Sequence, residues 1–207
     1  MGPREWRPLF HVRKLWQVEA LYWGHYLARF APLDIWLQTR GLARSRDDFR
    51  FGETPWVTGL ELLKLAEVGP EDTLYDLGAG RGKVVFLAAL ASGCRAIGIE
   101  LLGGYNYVSR RLARWLRIEN AVFRDEDFLR TDLSPASVVY LAGTTWSAET
   151  RERLGERLDT LSPGCRVLSV SHEWQRPRLD LVGESQHLFS WGRAKVYRYR
   201  VSDWMGP

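Results

Sequence analysis

The chain is short of cysteine, of histidine and of long apolar runs, and each shortage excludes a class of protein. Among 207 residues there are only two cysteines, Cys94 and Cys165. A disulfide framework is therefore excluded, and a reducing, cytoplasmic setting is expected. Each cysteine stands at the head of a stretch that reads as a strand, so both are expected as buried thiols. The four histidines, His11, His25, His172 and His187, are scattered. Together with the cysteines they show none of the spacings that hold zinc or iron, and no metal is expected. The most apolar stretch, about Leu15 to Leu37, is broken by Glu19, His25, Arg29, Pro32 and Asp34, which a bilayer-spanning helix tolerates badly. The N-terminus has no compact apolar segment followed by a small-residue cleavage site, so no secretory signal is expected. Excess charge is also modest: +4 permits a polyanionic partner but lies far below the density of a dedicated nucleic-acid binder.

What is present is enough for one domain with a full core plus an appendage. Residues 1–50 are rich in Trp, Tyr and Arg and carry no glycine-rich turn. Leu15, Val18, Tyr22, Tyr26 and Arg29 recur at helical spacing, which predicts an amphipathic helix ending before Pro32, with a shorter one through Ile35 to Leu37. This segment is expected to be a helical arm or cap on the domain formed by residues 51–207; an interfacial membrane helix and a substrate-docking arm are the alternatives.

From Phe51 onward, short β-rich runs alternate with longer amphipathic ones. Thr58 to Val68 reads as a helix, Thr73 to Leu77 as a buried strand, Lys83 to Ser92 as a helix and Arg95 to Glu100 as a second strand. Tyr105 to Leu116 is a predicted helix with Val108, Leu112 and Trp115 inward and Arg110, Arg114 and Arg117 outward. Strands follow at Ala121 to Phe123, Ser137 to Leu141 and Cys165 to Val170. Between the last two, Leu154, Leu158 and Leu161 mark a helix that Ser147 can cap. Leu179 to Val182, His187 to Phe189 and Ala194 to Tyr199, around a turn at Ser190 to Gly192, predict a closing antiparallel hairpin. The pattern as a whole predicts an α/β, doubly wound, mostly parallel sheet with helices on both faces.

In such sheets the ligand lies at the carboxyl edge of the strands, where glycines let the backbone come close. Gly78, Ala79, Gly80 and Gly82 follow the first strand and precede a helix, the context that gives such a loop meaning. A dinucleotide site needs a third Gly or Ala three residues after Gly80, where Lys83 stands and would hinder close packing of helix on sheet. Asp76, just ahead of the glycines, is poorly placed beside a pyrophosphate but suits a cofactor with an ammonium and no phosphate. Glu100, closing the second strand, can accept hydrogen bonds from both ribose hydroxyls. The combination favours S-adenosylmethionine.

The segment from Thr73 to Glu100 resembles motif I and the acidic second-strand end of class I methyltransferases. The resemblance extends over about residues 52–200 and implies a seven-stranded sheet whose last strand is reversed. Within that class, three pieces resemble the non-SET lysine methyltransferases related to the disruptor of telomeric silencing, and their small bacterial relatives. They are Phe51-Gly52-Glu53-Thr54, Asp76 to Gly82, and Glu126-Asp127-Phe128-Leu129. The resemblance implies that Glu53 and Thr54 close over the cofactor's methionine end, and that Asp127 and Phe128 meet its adenine. For the latter pair a capping acid and a core aromatic are the alternative. Leu101, beside Glu100, belongs to the same expected pocket. After the fourth strand that family carries Asn-Asn-Phe, whereas this chain reads Gly143-Thr144-Thr145-Trp146. Thr144 and Thr145 are candidates for the acceptor side, with local capping as the alternative, and Trp146 for the wall of a channel. His172, delivered to the same edge by the strand ending at Val170, is a candidate base; a surface histidine is the alternative. The acceptor implied by the resemblance is a protein side chain, with a small molecule or RNA also open.

Overall fold

The computed structural model describes residues 7–28 and 52–203. The expected helix at Ile35 to Leu37, and Phe51, lie outside the described residues. Helix α1 spans Arg7–Ala28 and α2 Trp56–Leu65. Strand β1 (Thr73–Leu77) leads through the glycine loop into α3 (Lys83–Leu87), which runs on as a π-helical turn, Ala88–Ser92. Then come β2 (Arg95–Glu100), α4 (Gly103–Trp115), β3 (Ala121–Asp125), β4 (Val138–Leu141), α5 (Ala148–Leu158) and β5 (Arg166–Val170). The long strands β6 (Leu179–Phe189) and β7 (Gly192–Val201) complete the sheet.

The seven strands lie in the order β3-β2-β1-β4-β5-β7-β6. The first five are parallel, and β7 is antiparallel to both its neighbours. This is the doubly wound α/β sheet with a terminal antiparallel hairpin that the sequence predicts. The chain leaves β1 towards β2 and β3, then crosses back to β4 on the other side. The crevice opened by that reversal, at the carboxyl ends of β1 and β4, is where ligands bind in such sheets.

Strand residues alternate between two cores. Leu74, Ala96, Val138 and Leu168 face α1 to α4, and Tyr75, Ile97, Val139 and Val167 face α5 and the segment around Leu133. Burial on both faces is why these strands read as almost unbroken apolar runs. Helix α1 contributes Val18 and Tyr22, both fully buried in the first core. Helix α5 begins as expected, the Ser147 hydroxyl accepting the Thr150 N–H at 3.2 Å. Its stripe Leu154, Leu158 and Leu161 is buried.

Two local expectations are corrected. Trp115 is 69% exposed: in line with Val108 but on the final turn of α4, it flanks an open groove between α1 and α4 instead of the sheet. The interrupted runs expected near the end are two continuous strands with one bulge between Leu181 and Gly183. An edge strand can be built without apolar alternation, so Gly183 to Gln186 gave no strand signal. Cys94 and Cys165 are free and buried, and burial pushes both thiols up to about 12. Among the described residues no cluster of metal-ligating side chains occurs, and no helix is long and apolar enough to cross a membrane.

Candidate functional site

The crevice above β1 and β4 is an open cleft, with about 940 Å³ between its walls when the solvent in its mouth is included. Its floor is the glycine loop. Gly78, Gly80 and Gly82 have φ of 79°, 52° and 70°, the left-handed region that other residues enter at a cost. The loop hangs from β2, since Gly78 and Ala79 donate their N–H groups to the Ile99 carbonyl at 2.9 and 3.1 Å. A Cβ on Gly82 would stand 2.2 Å from the Phe123 ring, so Gly82 is what lets the start of α3 sit against β3. The close-packing position therefore lies at 82. Lys83 points away from the sheet, its ammonium 4.9 Å above the Trp56 ring. The tight helix-to-sheet contact that the sequence pattern puts at position 83 is made one residue earlier, by Gly82.

Glu100 is the lock of this loop. One carboxylate oxygen accepts the Gly80 N–H and the other the Leu102 N–H, each at 2.9 Å. Carboxylate oxygens have further lone pairs, so both can take another donor. Asp76, 4% exposed, lies beneath. Burial first, and then the charge of Glu100, push its carboxyl up to about 8. Asp76 lines the cleft, and no hydrogen bond to its carboxyl is found among the described residues. A buried carboxyl with no internal partner, facing an open cleft, fits a ligand that carries a cation. Opposite Asp76 in the parallel register stands Tyr140, whose hydroxyl shares a 2.7 Å hydrogen bond with Thr54 Oγ1. Burial raises the Tyr140 pKa, the Thr54 contact opposes this and Asp76 adds to it.

A strap, residues 52–54, crosses one wall of the cleft. Glu53 forms ion pairs with Lys83 at 3.1 Å and with Arg81, and Lys83 reaches Glu19 of α1 at 3.2 Å. Burial lowers the Lys83 pKa, while Glu19 acts to raise it. The strap is fastened by the β6–β7 turn. Glu53 N–H donates to Ser190 Oγ at 2.8 Å, and the Glu53 carbonyl accepts the Ser190 N–H at 3.2 Å. A Cβ on Gly52 would lie 2.4 Å from the Trp191 ring. On the other side, α1 supports the loop itself, the Tyr22 hydroxyl donating to the Arg81 carbonyl at 2.6 Å.

Of the residues singled out in the sequence, the structure brings Glu53, Thr54, Asp76, Gly78, Ala79 and Gly80 to one cleft, with Lys83, Glu100, Leu101, Phe128, Thr145 and Trp146. The Phe128 and Trp146 rings meet there at 4.9 Å and 39°. Four residues are not in its lining. Gly82 packs on Phe123. Asp127 caps the turn after β3, its carboxylate accepting the Leu129 N–H at 2.9 Å. Thr144 lies in the turn after β4, its N–H on the Ala142 carbonyl at 3.0 Å. His172 is braced behind that turn, against the backbone of Gly143 and Thr144. Burial, then Arg151, lower its pKa, while the contacts to the Gly143 and Thr144 backbone act to raise it. Trp146 is 7% exposed, and it closes under Gly143, where a Cβ would stand 1.8 Å from the indole. The sequence reading missed Arg81, Tyr105 and Tyr140, which also line the cleft. Tyr140 left no signal in the sequence, because its place opposite Asp76 is set by the register of β4 on β1.

Comparison with known proteins agrees with this geometry. The family described as "Histone methylation protein DOT1" matches residues 44–188. A protein-lysine N-methyltransferase of Saccharolobus islandicus is 31% identical over 127 residues, covering 59% of this chain and 74% of that protein. An H3 lysine-79 specific histone-lysine N-methyltransferase of Cryptococcus neoformans is 24% identical over 135 residues, 58% of this chain but only 21% of that much longer protein. Among solved structures, an RNA methyltransferase from Salinibacter ruber in complex with S-adenosyl-L-homocysteine shares 32% identity at a TM-score of 0.56, covering 74% of this chain and 96% of that one. A family match over most of the chain joins a cleft built for a cationic nucleoside: this chain belongs to the DOT1 histone-methylation family and is an S-adenosylmethionine-dependent methyltransferase.

Proposed function

We propose that the acceptor is an amine on a protein side chain, of the lysine kind. The observation that carries this is the match to the Saccharolobus islandicus protein-lysine N-methyltransferase across 74% of its length. On the donor side, Glu100 would hold the ribose hydroxyls, Asp76 the ammonium, and Phe128 the adenine, with Trp146 walling the acceptor channel beside it. Glu53 and Thr54 would cover the amino-acid end, with Arg81 and Lys83 close to its carboxylate. When bound, the cofactor supplies a methyl group on a good leaving group.

The chain's own work is then alignment and exclusion of water, with the amine entering the cleft neutral after losing its proton to solvent. Holding acceptor and methyl in line is the larger contribution. Thr145, at the acceptor end of the cleft, can accept a hydrogen bond from the incoming amine. His172 acts through the Gly143–Thr144 backbone as a positioning residue. Residues 1–50 are assigned to acceptor choice and 51–207 to the donor site. The two free, buried thiols support a reducing, cytoplasmic setting.

A second reading, an RNA acceptor, is favoured by the Salinibacter ruber RNA methyltransferase, 32% identical over 96% of its chain. One experiment separates them. The purified chain is incubated with methyl-tritiated S-adenosylmethionine and fractionated lysate, and the product is treated with protease or ribonuclease. Protease-sensitive label that hydrolyses to methyllysine supports the first reading. Label removed only by ribonuclease replaces it with the second.

A further inference from the structure

Two helices that bracket the glycine loop present an unusual outer surface. Between residues 13 and 24 of α1 the exposed positions are Arg13, Trp16, Ala20, Trp23 and Gly24. Along α4 they are Tyr107, Arg111, Arg114 and Trp115. None is acidic, and the next exposed acid, Glu119, lies past the end of α4. Trp16, Trp23 and Trp115 are 69%, 59% and 69% exposed, and Tyr107 is 49% exposed. The two helices meet along a groove to which α1 gives Leu21 and α4 gives Tyr107, Arg111 and Trp115.

The cations here are unspent. Arg110, one position away, pairs with Asp125 at 2.9 Å, and elsewhere Arg166, Arg176 and Lys195 pair with Asp72, Asp159 and Glu184. Among the described residues no carboxylate pairs with Arg13, Arg111 or Arg114. Arg111 lies over the Tyr107 ring, 5.6 Å from its centroid, and donates to its hydroxyl at 3.0 Å.

We propose that this joined face of α1 and α4 docks on an anionic lipid surface, with the three tryptophans at headgroup level and Arg111 and Arg114 on lipid phosphates. Indole rings are favoured at that depth, where one edge is apolar and the N–H finds a partner. A helix lying in the interface plane needs what α1 supplies on its outer stripe: Trp16, Ala20 and Trp23 at i, i+4 and i+7, with no acid among them. Arginines with no carboxylate partner among the described residues add electrostatic attraction to anionic lipid. Single-stranded nucleic acid fits less well. It calls for rings set along a cationic groove that tracks the phosphates. Here the Trp16 and Trp23 rings stand on a convex helix, separated by Ala20, and the exposed positions include no Asn, Gln, Ser or Thr to read a base edge. The inference does not depend on which acceptor the enzyme uses.

The test is flotation of the full chain with vesicles of equal parts phosphatidylcholine and phosphatidylglycerol, and with vesicles of phosphatidylcholine alone. Binding to the mixed vesicles only is expected, and it should weaken as salt rises. Substituting Trp16→Ser, Trp23→Ser and Trp115→Ser together should abolish it, and Arg111→Gln with Arg114→Gln should weaken it on the order of tenfold. Both variants should bind S-adenosylhomocysteine as the parent does, which shows that they are folded. Absence of flotation, equal flotation with both vesicles, or flotation unchanged in the variants would overturn the proposal. So would a concentration-dependent dimer that protects the three tryptophans from a quencher, or an RNA oligonucleotide bound through them in place of vesicles.

Discussion

The two halves of the cleft are built by different means. On the half proposed for the donor, at the ends of β1 and β2, backbone and side chain are cross-linked: Glu100 takes two loop N–H groups, and Ile99 takes two more. On the half proposed for the acceptor, after β4, the turn from Gly143 to Trp146 is held by its own short hydrogen bonds, by an indole tucked beneath it, and by His172 behind it. The difference teaches where change is tolerated. A fixed donor site can serve many acceptors if the opposite wall varies without disturbing it, and it is on that wall that this chain departs from Asn-Asn-Phe.

The largest expected effect is on the donor side. Glu100→Ala strands two buried N–H groups and removes the proposed acceptor for the ribose, so affinity for S-adenosylhomocysteine in calorimetry should drop by about 3 kcal/mol. Unchanged affinity would refute the assigned pocket. Next comes Gly143→Ala. Its methyl would press on Trp146, and overpacking of this sort costs about 1–3 kcal/mol. Turnover should fall and Tm drop, with donor affinity affected less than in the Glu100 variant. If donor affinity falls equally, the two halves are not separable.

Asp76 gives a pH-dependent contrast. Its carboxyl holds a proton up to about pH 8, and a cationic ligand favours the ionised form. Binding should therefore release protons below that pH, and affinity should rise as pH climbs through about 8. Because the folded pKa is raised above the unfolded value, the ligand-free protein loses stability from this group across the window from 3.8 to about 8. Asp76→Asn should flatten the affinity profile and raise the ligand-free Tm at the alkaline end. A profile identical to the parent's would show that Asp76 does not meet the ligand. Smallest of all should be Thr145→Val: a several-fold lower kcat for the acceptor, with S-adenosylhomocysteine affinity unchanged. A donor-affinity loss there would place Thr145 on the wrong half.

Legibility in the sequence follows the same division. Strands buried on both faces leave continuous apolar runs, and a glycine loop between strand and helix leaves a spacing, so β1 to β5 and the floor of the cleft could be read directly. Contacts made across the sheet leave no local trace. Tyr140 beside Asp76 needs the register of β1 on β4, and Ser190 on Glu53 needs the whole topology. Trp115 had the right periodicity, but periodicity does not say where the neighbouring layer stops. Lys83 had the right spacing from Gly80, but spacing alone did not show that Gly82 was the residue facing the sheet.

The fastening of the strap has a consequence in time. Glu53 and Ser190 are 137 residues apart, and at ordinary rates of synthesis the second follows the first by on the order of ten seconds. While the chain is being made, the glycine loop and Glu100 can be in place with residues 52–54 still untied. The proposed donor pocket is thus finished last, when the hairpin arrives, and a nascent chain should bind S-adenosylhomocysteine only after most of the protein has been translated.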